Sequence, residues 1–112
     1  MSLQPFDVVV VPFPYSDRLA EKRRPALVIS RPELESETGL LWVAMITSSG
    51  RPPTRGDVRL TDMAAAGLSA ASTVRAGKVA TIEPGRVIRS AGALATADRK
   101  AVVEALRSCA AF

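Results

Sequence analysis

Three cations, a proline and an apolar run follow one another in Lys22-Arg23-Arg24-Pro25-Ala26-Leu27-Val28-Ile29-Ser30. Leucine, valine and isoleucine favour strands, and a proline, which has no N–H, fits the first position of a strand rather than its middle. The residue before a proline is held in extended geometry. The segment therefore predicts that Arg24 lies at the mouth of a buried strand with its backbone direction fixed. Because charge runs are commonly solvated surface, the alternative is that residues 22–24 only solubilise the strand end.

Two further strands are predicted on either side of this segment. Residues 6–13 form an apolar run limited by prolines, and residues 40–47 are too apolar for a half-exposed strand, which predicts a central one. The second run ends in Thr47-Ser48-Ser49, three hydroxyl groups before a glycine. A polar loop over residues 15–23 and an acidic, solvated connection over residues 32–39 are expected to join the three strands.

The remaining chain predicts short strands, one helical turn and a terminal helix. Val102, Val103, Leu106 and Cys109 recur at helical spacing and indicate the apolar stripe of that helix. These elements predict an α+β fold, mainly β, in which the strands curl into a small barrel and residues 1–112 form a single domain. The expected elements are a strand at 57–60, a turn of helix at 63–66 capped by Thr61, a strand at 72–82 interrupted at Gly77, an edge strand at 86–88, a break at Gly92 and a helix at 97–110 capped by Thr96.

Composition and charge exclude several classes of function. The 112 residues contain one cysteine and no histidine, which excludes imidazole acid–base sites, an internal disulfide and ordinary zinc sites. No run approaches the ~20 apolar residues of a membrane span, and no secretory signal is visible, so we expect a cytoplasmic protein. The net charge is +4, and its excess lies in residues 63–112, which hold seven Lys/Arg against three Asp/Glu. A one-sided basic surface favours a polyanionic partner.

Polar side chains at the predicted strand ends form a possible phosphate site. Arg24, Thr47, Ser48 and Arg75 combine guanidinium groups with hydroxyls. A guanidinium can fork onto two phosphate oxygens while a hydroxyl donates to a third. The alternative is that Thr47 and Ser48 merely cap a turn.

Five motifs occur in the order and spacing of the PemK/MazF toxin family. They are Phe6-Asp7-Val8-Val9-Val10-Val11-Pro12-Phe13, Arg23-Arg24-Pro25-Ala26-Leu27-Val28-Ile29-Ser30, Ile46-Thr47-Ser48, Val74-Arg75 and Thr81-Ile82-Glu83. Each motif is weak alone. The combination is specific because the strand that starts with Arg-Pro and the strand that ends with Thr-Ser are separated in the sequence as they are in the family. The chain therefore resembles this family over residues 6–110.

The resemblance implies an SH3-like barrel, a homodimer and a type II toxin–antitoxin system. Such toxins are sequence-selective endoribonucleases that act on single-stranded RNA and need no metal or other cofactor. An antitoxin protein binds and inhibits them, and the toxin and antitoxin also bind DNA together. They leave a 2′,3′-cyclic phosphate and a 5′-hydroxyl. By the same resemblance, Arg24 corresponds to the catalytic arginine and Thr47 to its partner, while Ser48 and Arg75 line the RNA site.

This chemistry suits a chain with no histidine, because the nucleophile is the 2′-hydroxyl of the substrate. The protein must align that oxygen and stabilise charge on the phosphorane, which Arg24 and Thr47 would do. Arg23, Arg75 and Lys78 are candidates for gripping RNA phosphates. Because a guanidinium stays charged near neutrality, it is a poor acid or base, and Asp17 and Glu21 are the candidates for proton transfer.

The sequence departs from the family in three places. Phe6 stands where the family has glycine, Gly77 stands where many relatives have an active-site aspartate, and the histidine that some relatives carry on the first loop is missing. These departures leave two alternatives open. One is a non-catalytic SH3-like module that binds nucleic acid or protein. The other is a purely structural barrel in which Arg24 forms a salt bridge with Asp17 or Glu21.

Overall fold

Six strands form one antiparallel sheet in a computed structural model that describes residues 3–12 and 23–112. The order across the sheet is β4-β5-β3-β2-β1-β6. The strands are β1 Asp7–Pro12, β2 Arg23–Val28, β3 Leu41–Ser48, β4 Asp57–Arg59, β5 Ser72–Ile82 and β6 Arg89–Ala93, and the helices are α1 Pro32–Thr38, α2 Met63–Ala66 and α3 Thr96–Cys109, with a 3₁₀ turn at Pro84–Arg86. The predicted α+β class, mainly β and with a C-terminal helix, is confirmed.

Both faces of the sheet are apolar, as predicted for a central third strand. Along β3, Val43 and Met45 belong to one buried cluster, and Ala44 and Ile46 belong to another. Successive strand residues point to opposite faces, so the two clusters lie on the two sides of the sheet. Val102 of α3 joins the second cluster, so this helix covers that face.

Strand β2 begins earlier than predicted, because Pro25 is its third residue and not its first. Pro25 pairs with Val10 of β1, whereas the pairing with β3 begins only at Ala26, opposite Met45. The proline therefore lies just before the β2–β3 ladder starts, where no N–H is needed toward β3. Arg24 is consequently paired with β1 on one side only.

The predicted acidic connection over residues 32–39 is wrong, since most of it is helix α1. Pro32 occupies the first helical position, where a missing N–H costs nothing, and Gly39 ends the helix in the left-handed region at φ 75°. Glu33 and Glu35 lie in the first turn, where negative charge suits the helix dipole.

The predicted helix caps are also corrected. Asp62, not Thr61, caps α2 by accepting a hydrogen bond from the Ala65 N–H at 3.0 Å. Thr61 instead donates its N–H and its hydroxyl to the buried Asp98 of α3. Helix α3 begins at Thr96 rather than after it, without a side-chain cap. Asp98 thereby ties the terminal helix to the chain that follows β4.

The edge strand lies later than predicted. Residues 86–88 are outside β6, and Gly92, which was expected to break the chain, pairs with Val8 inside it. A Cβ atom at Gly92 would lie 2.5 Å from the Ala65 carbonyl oxygen, so glycine permits close packing of β6 on α2. Cys109, predicted in the buried stripe of α3, is exposed.

Phe6 has a left-handed backbone, with φ 72°, directly before β1. Its N–H donates to the Val28 carbonyl oxygen at 2.8 Å, and its own carbonyl accepts from the Leu94 N–H at 2.9 Å. Its ring packs against the second cluster, with the Arg99 guanidinium 5.1 Å from the ring centre. Phe6 is therefore a bulky residue in a backbone conformation that favours glycine.

Each helix within residues 3–12 and 23–112 is too short or too polar to traverse a lipid bilayer.

Candidate active site

Arg24 and Thr47 lie on neighbouring strands, at the end where the β2–β3 pairing stops. Ala26 and Met45 form the last described pair, and Arg24 and Thr47 each lie two residues beyond it. Ala26 and Met45 both belong to the first cluster, so Arg24 and Thr47 emerge from that same face of the sheet. Both are half-buried, and no described residue hydrogen-bonds or ion-pairs with the Arg24 side chain.

The row of polar side chains continues across two further strands. Thr47 pairs with Thr73 of β5, and Thr73 pairs with Arg59 of β4. The Ser49 and Thr73 hydroxyl oxygens are 2.9 Å apart and hydrogen-bonded. The row thus combines two guanidinium and two hydroxyl groups across four strands, which is a donor set suited to phosphate oxygens.

A second row of side chains lies two residues further along each strand, on the same face of the sheet. Met45 pairs with Arg75 of β5, and Arg75 pairs with Asp57 of β4. The Arg75 Nε atom is 3.4 Å from Asp57 Oδ1, and the two side chains are 17% and 13% exposed. Arg75 is therefore held by a carboxylate on the neighbouring strand, whereas Arg24 has no carboxylate partner within residues 3–12 and 23–112.

An open cavity of about 410 Å³ adjoins the two rows. Its lining comprises Ser49, Gly50, Arg51, Pro52, Pro53, Asp57, Arg59 and Thr73. In this part of the described chain, the guanidinium groups of Arg24, Arg51, Arg59 and Arg75 outnumber the single carboxylate of Asp57. The surface around the cavity is therefore positive and suited to an anionic ligand.

The other predicted site residues lie apart from these rows. Arg23 and Ser48 are exposed and, by alternation along their strands, belong to the opposite face. Lys78 is half-buried and lies where the β3–β5 register shifts, between the paired residues Arg75 and Val79. Asp17 and Glu21, the predicted acid–base candidates, lie outside the described residues.

Sequence reasoning missed three residues of the site, Asp57, Arg59 and Thr73. Asp57 and Arg59 alternate with apolar residues along β4, so the pattern indicated that both lie on one strand face. It did not indicate which face of the sheet they join. That depends on pairing with β5, which no local signal in the sequence specifies.

No group of three or more cysteine or acidic side chains that could hold a metal ion occurs within residues 3–12 and 23–112. The donors that the two rows offer are guanidinium and hydroxyl groups. These are ligands for anions rather than for metal cations.

Comparison with known proteins gives a family and a set of structural relatives. Residues 4–109 match the family model of the PemK-like, MazF-like toxin of type II toxin–antitoxin systems. No curated protein sequence matches the chain.

Solved structures of toxins share the fold at low sequence identity. An endoribonuclease in complex with its cognate antitoxin from a mycobacterial species superposes with a TM-score of 0.75 and 16% identity, over 96% of this chain and 93% of that one. The Mycobacterium tuberculosis toxin MazF-mt6 gives 0.74 and 23%, over 92% and 94%. MazF from Deinococcus radiodurans gives 0.75 and 22%, over 96% of both chains. The family match spans nearly the whole sequence, so this chain belongs to the PemK-like, MazF-like toxins of type II toxin–antitoxin systems.

Proposed function

We propose that this toxin is a metal-independent, sequence-selective endoribonuclease that cleaves single-stranded mRNA. The observation that carries the proposal is that Arg24 and Thr47 lie on one sheet face, each two residues beyond the same β2–β3 pair, with the Arg24 side chain unpaired among the described residues. A half-buried guanidinium that has no carboxylate partner among the described residues, on the same sheet face as a hydroxyl, is suited to a phosphate. The similarity to a mycobacterial endoribonuclease supports the same class of reaction.

The proposed reaction uses a nucleophile that belongs to the RNA. The 2′-oxygen attacks the adjacent phosphorus, the bond from phosphorus to the 5′-oxygen breaks, and the products carry a 2′,3′-cyclic phosphate and a 5′-hydroxyl. Arg24 stabilises the extra charge of the phosphorane by forking onto two of its oxygens, and Thr47 donates its hydroxyl to one of them. The proton of the 2′-hydroxyl goes to a base, and the 5′-oxygen takes a proton from an acid. Asp17 and Glu21 are the proposed proton carriers.

Binding of the RNA rests on the arginines around the cavity. Arg51 and Arg59 line it, and Arg75 lies in the second row on the same face. Together they extend positive charge away from Arg24, along a path for successive phosphates of a single strand. We also propose that Arg23, Ser48 and Lys78 contact the flanking RNA.

A second copy of the chain is the proposed partner for an apolar groove beside the end of α3. The groove, of about 420 Å³, is lined by Ile29, Trp42, Ala76, Gly77, Val79, Leu106, Arg107, Cys109, Ala110 and Phe112. Trp42 is 50% and Val79 is 44% exposed, which leaves large apolar surfaces in water. Covering them would contribute about 25 cal/mol per Å² of apolar surface.

The homodimer is tested by light scattering on a size-exclusion column. Trp42→Arg should shift the mass toward the monomer. Ile88→Arg changes a 43% exposed apolar residue outside the groove and should leave the mass unchanged. A monomeric wild type would contradict the dimer.

The proposed regulator is an antitoxin protein, as in the solved MazE–MazF complex of Deinococcus radiodurans. An acidic antitoxin would cover the positive face and exclude RNA from Arg24, and the toxin and antitoxin would bind DNA together. The proposed place of action is the cytoplasm, where mRNA is available.

The cleavage proposal is tested with a long single-stranded RNA in EDTA. Wild type should give discrete cuts with cyclic-phosphate ends, and Arg24→Ala should lower the rate by about 10²–10³-fold, as expected for loss of a charge-stabilising donor. Arg24→Lys keeps the charge but loses the fork, and should recover little of the rate. Arg89→Ala, an exposed arginine on edge strand β6, is the matched control and should cleave normally.

Three results would contradict the proposal in different ways. Activity lost in EDTA would refute the metal-independent mechanism. Full activity in Arg24→Ala would remove Arg24 from the reaction. RNA binding without cuts in any sequence would favour the non-catalytic binding module.

A further inference from the structure

We infer that Asp57 is a positioning residue, which orients the Arg75 guanidinium toward the RNA. The inference rests on the proposed function and deepens it. It concerns how this chain fixes the direction of an arginine that is proposed to contact RNA. The residue responsible comes from β4, on the neighbouring strand.

The Asp57 carboxylate is anchored on one side by its own loop. Its Oδ2 atom accepts a hydrogen bond from the Thr54 N–H at 2.9 Å and another from the Thr54 hydroxyl at 3.3 Å. The Thr54 carbonyl in turn accepts from the Asp57 N–H at 3.1 Å. These bonds close a tight turn before β4, so the carboxylate has a fixed direction before any contact with Arg75 is considered.

The other oxygen of the carboxylate is directed at Arg75. Oδ1 is shielded from solvent and takes no hydrogen bond in the described structure, and Arg75 Nε lies 3.4 Å away. A buried carboxylate oxygen is unfavourable unless a cation compensates it. Because Oδ1 is shielded, this oxygen is out of reach of a base edge or a 2′-hydroxyl, and the group that it faces is Arg75.

The contact uses Nε, which has a particular consequence for the arginine. A guanidinium carries five N–H donors in a fixed planar fork. When Nε faces a carboxylate, the plane of the group is set, and the donors of Nη1 and Nη2 remain for a ligand. An arginine held in this way loses less side-chain freedom when it binds a phosphate, so its position is prepared in advance.

The test is a double-mutant cycle of Asp57→Asn and Arg75→Ala, read in kcat and KM for RNA cleavage. Asparagine keeps the size of the side chain and an oxygen for Thr54, but removes the charge that faces Nε. Asp57→Asn should lower kcat/KM by about 10–100-fold, since small misplacements of a positioned group cost up to about 10². In the Arg75→Ala background, Asp57→Asn should change kcat/KM by less than about twofold, because coupled residues are not additive.

Asp62→Asn is the matched control. It removes one carboxylate charge at the cap of α2, where asparagine is an equally good cap, and should leave cleavage and unfolding unchanged. Equal melting temperatures of Asp57→Asn and wild type would show that the lower kcat/KM does not come from a loss of folding.

The outcomes distinguish this inference from the proposed function. If Asp57→Asn lowers kcat/KM equally in the wild-type and Arg75→Ala backgrounds, the positioning role is overturned. The cleavage proposal is not contradicted by that result. If wild type binds RNA but does not cleave it, the proposed function fails, and the same cycle is read in Kd for single-stranded RNA. Coupling in Kd would then sustain the role of Asp57, and additivity would overturn it. Absence of both cleavage and RNA binding would overturn both proposals.

Discussion

The left-handed backbone of Phe6 predicts that glycine and alanine reverse their usual order of stability at this position. At an ordinary backbone geometry, alanine is more stable than glycine, because glycine loses more conformational freedom on folding. At Phe6 the φ of 72° strains every residue that has a Cβ atom. Phe6→Gly should therefore be more stable than Phe6→Ala, although both variants lose the aromatic ring.

The size of the reversal follows from two opposing contributions. The left-handed conformation costs a residue with a Cβ roughly 1–2 kcal/mol, which only the alanine variant incurs. The greater freedom of glycine in the unfolded chain opposes this by about 0.4–1 kcal/mol. The difference leaves Phe6→Gly more stable than Phe6→Ala by about 0.8 kcal/mol. Loss of ring packing and of the Arg99 contact is common to both variants and cancels.

The assay is equilibrium urea unfolding of the two variants at one protein concentration, since the proposed dimer would make the apparent stability depend on concentration. Ala101→Gly is the control, at an exposed position within α3. There glycine should cost about 1 kcal/mol, in the usual direction. A Phe6→Ala variant as stable as Phe6→Gly, or more so, would refute the left-handed geometry.

Three further predictions concern packing and RNA affinity. Asp98→Ala should lower the free energy of unfolding by about 2 kcal/mol, because the donors of Thr61 lose a buried acceptor; a urea midpoint equal to that of wild type would contradict this. Gly92→Ala should cost about 1–3 kcal/mol, since its Cβ would overlap the Ala65 carbonyl, whereas Gly85→Ala, with open space around the new Cβ, should be neutral in the same assay. RNA affinity measured by fluorescence anisotropy should fall steeply between low and high salt, because bound phosphates release counterions, and a flat response would argue against the arginine-lined surface.

The central strands were predictable because their sequence constrains both faces at once. An apolar run such as that of β3 has no polar face to expose, which requires a buried position between neighbours. Helix α1 was not predicted because its three glutamates resemble a solvated loop, and its signals, Pro32 and Gly39, lie only at its two ends. Strand β6 was misplaced because its small residues, including Gly92, pack closely on α2, and that contact is set by tertiary structure.

The candidate site was predictable where its residues follow a strand end, and not where they depend on register. Arg24 and Thr47 each lie at the end of an apolar run, so local sequence indicated both. Asp57 and Thr73 join them only through pairing of distant strands. A shift of one residue moves every side chain to the other face, so no local pattern could assign them.

The register shift in β5 sets Arg75, and not Lys78, opposite Met45 on the face that carries Arg24 and Thr47. Val79 pairs with Ala44, and without a shift the next pair would set Lys78 opposite Met45 and Arg75 opposite Ser48, on the other face. The shift leaves residues 76–78 outside the regular pairs and sets Arg75 opposite Met45, across from Asp57.

Gly77 lies within this irregularity, beside the loop that leads into β4. The Ala76 N–H donates to the Gly56 carbonyl at 2.9 Å, and a Cβ atom at Gly77 would lie 3.3 Å from the Arg55 carbonyl oxygen. The position is therefore tight for an aspartate. Glycine at position 77 therefore allows close approach between β5 and the loop that carries Asp57, and this approach sets Asp57 beside Arg75.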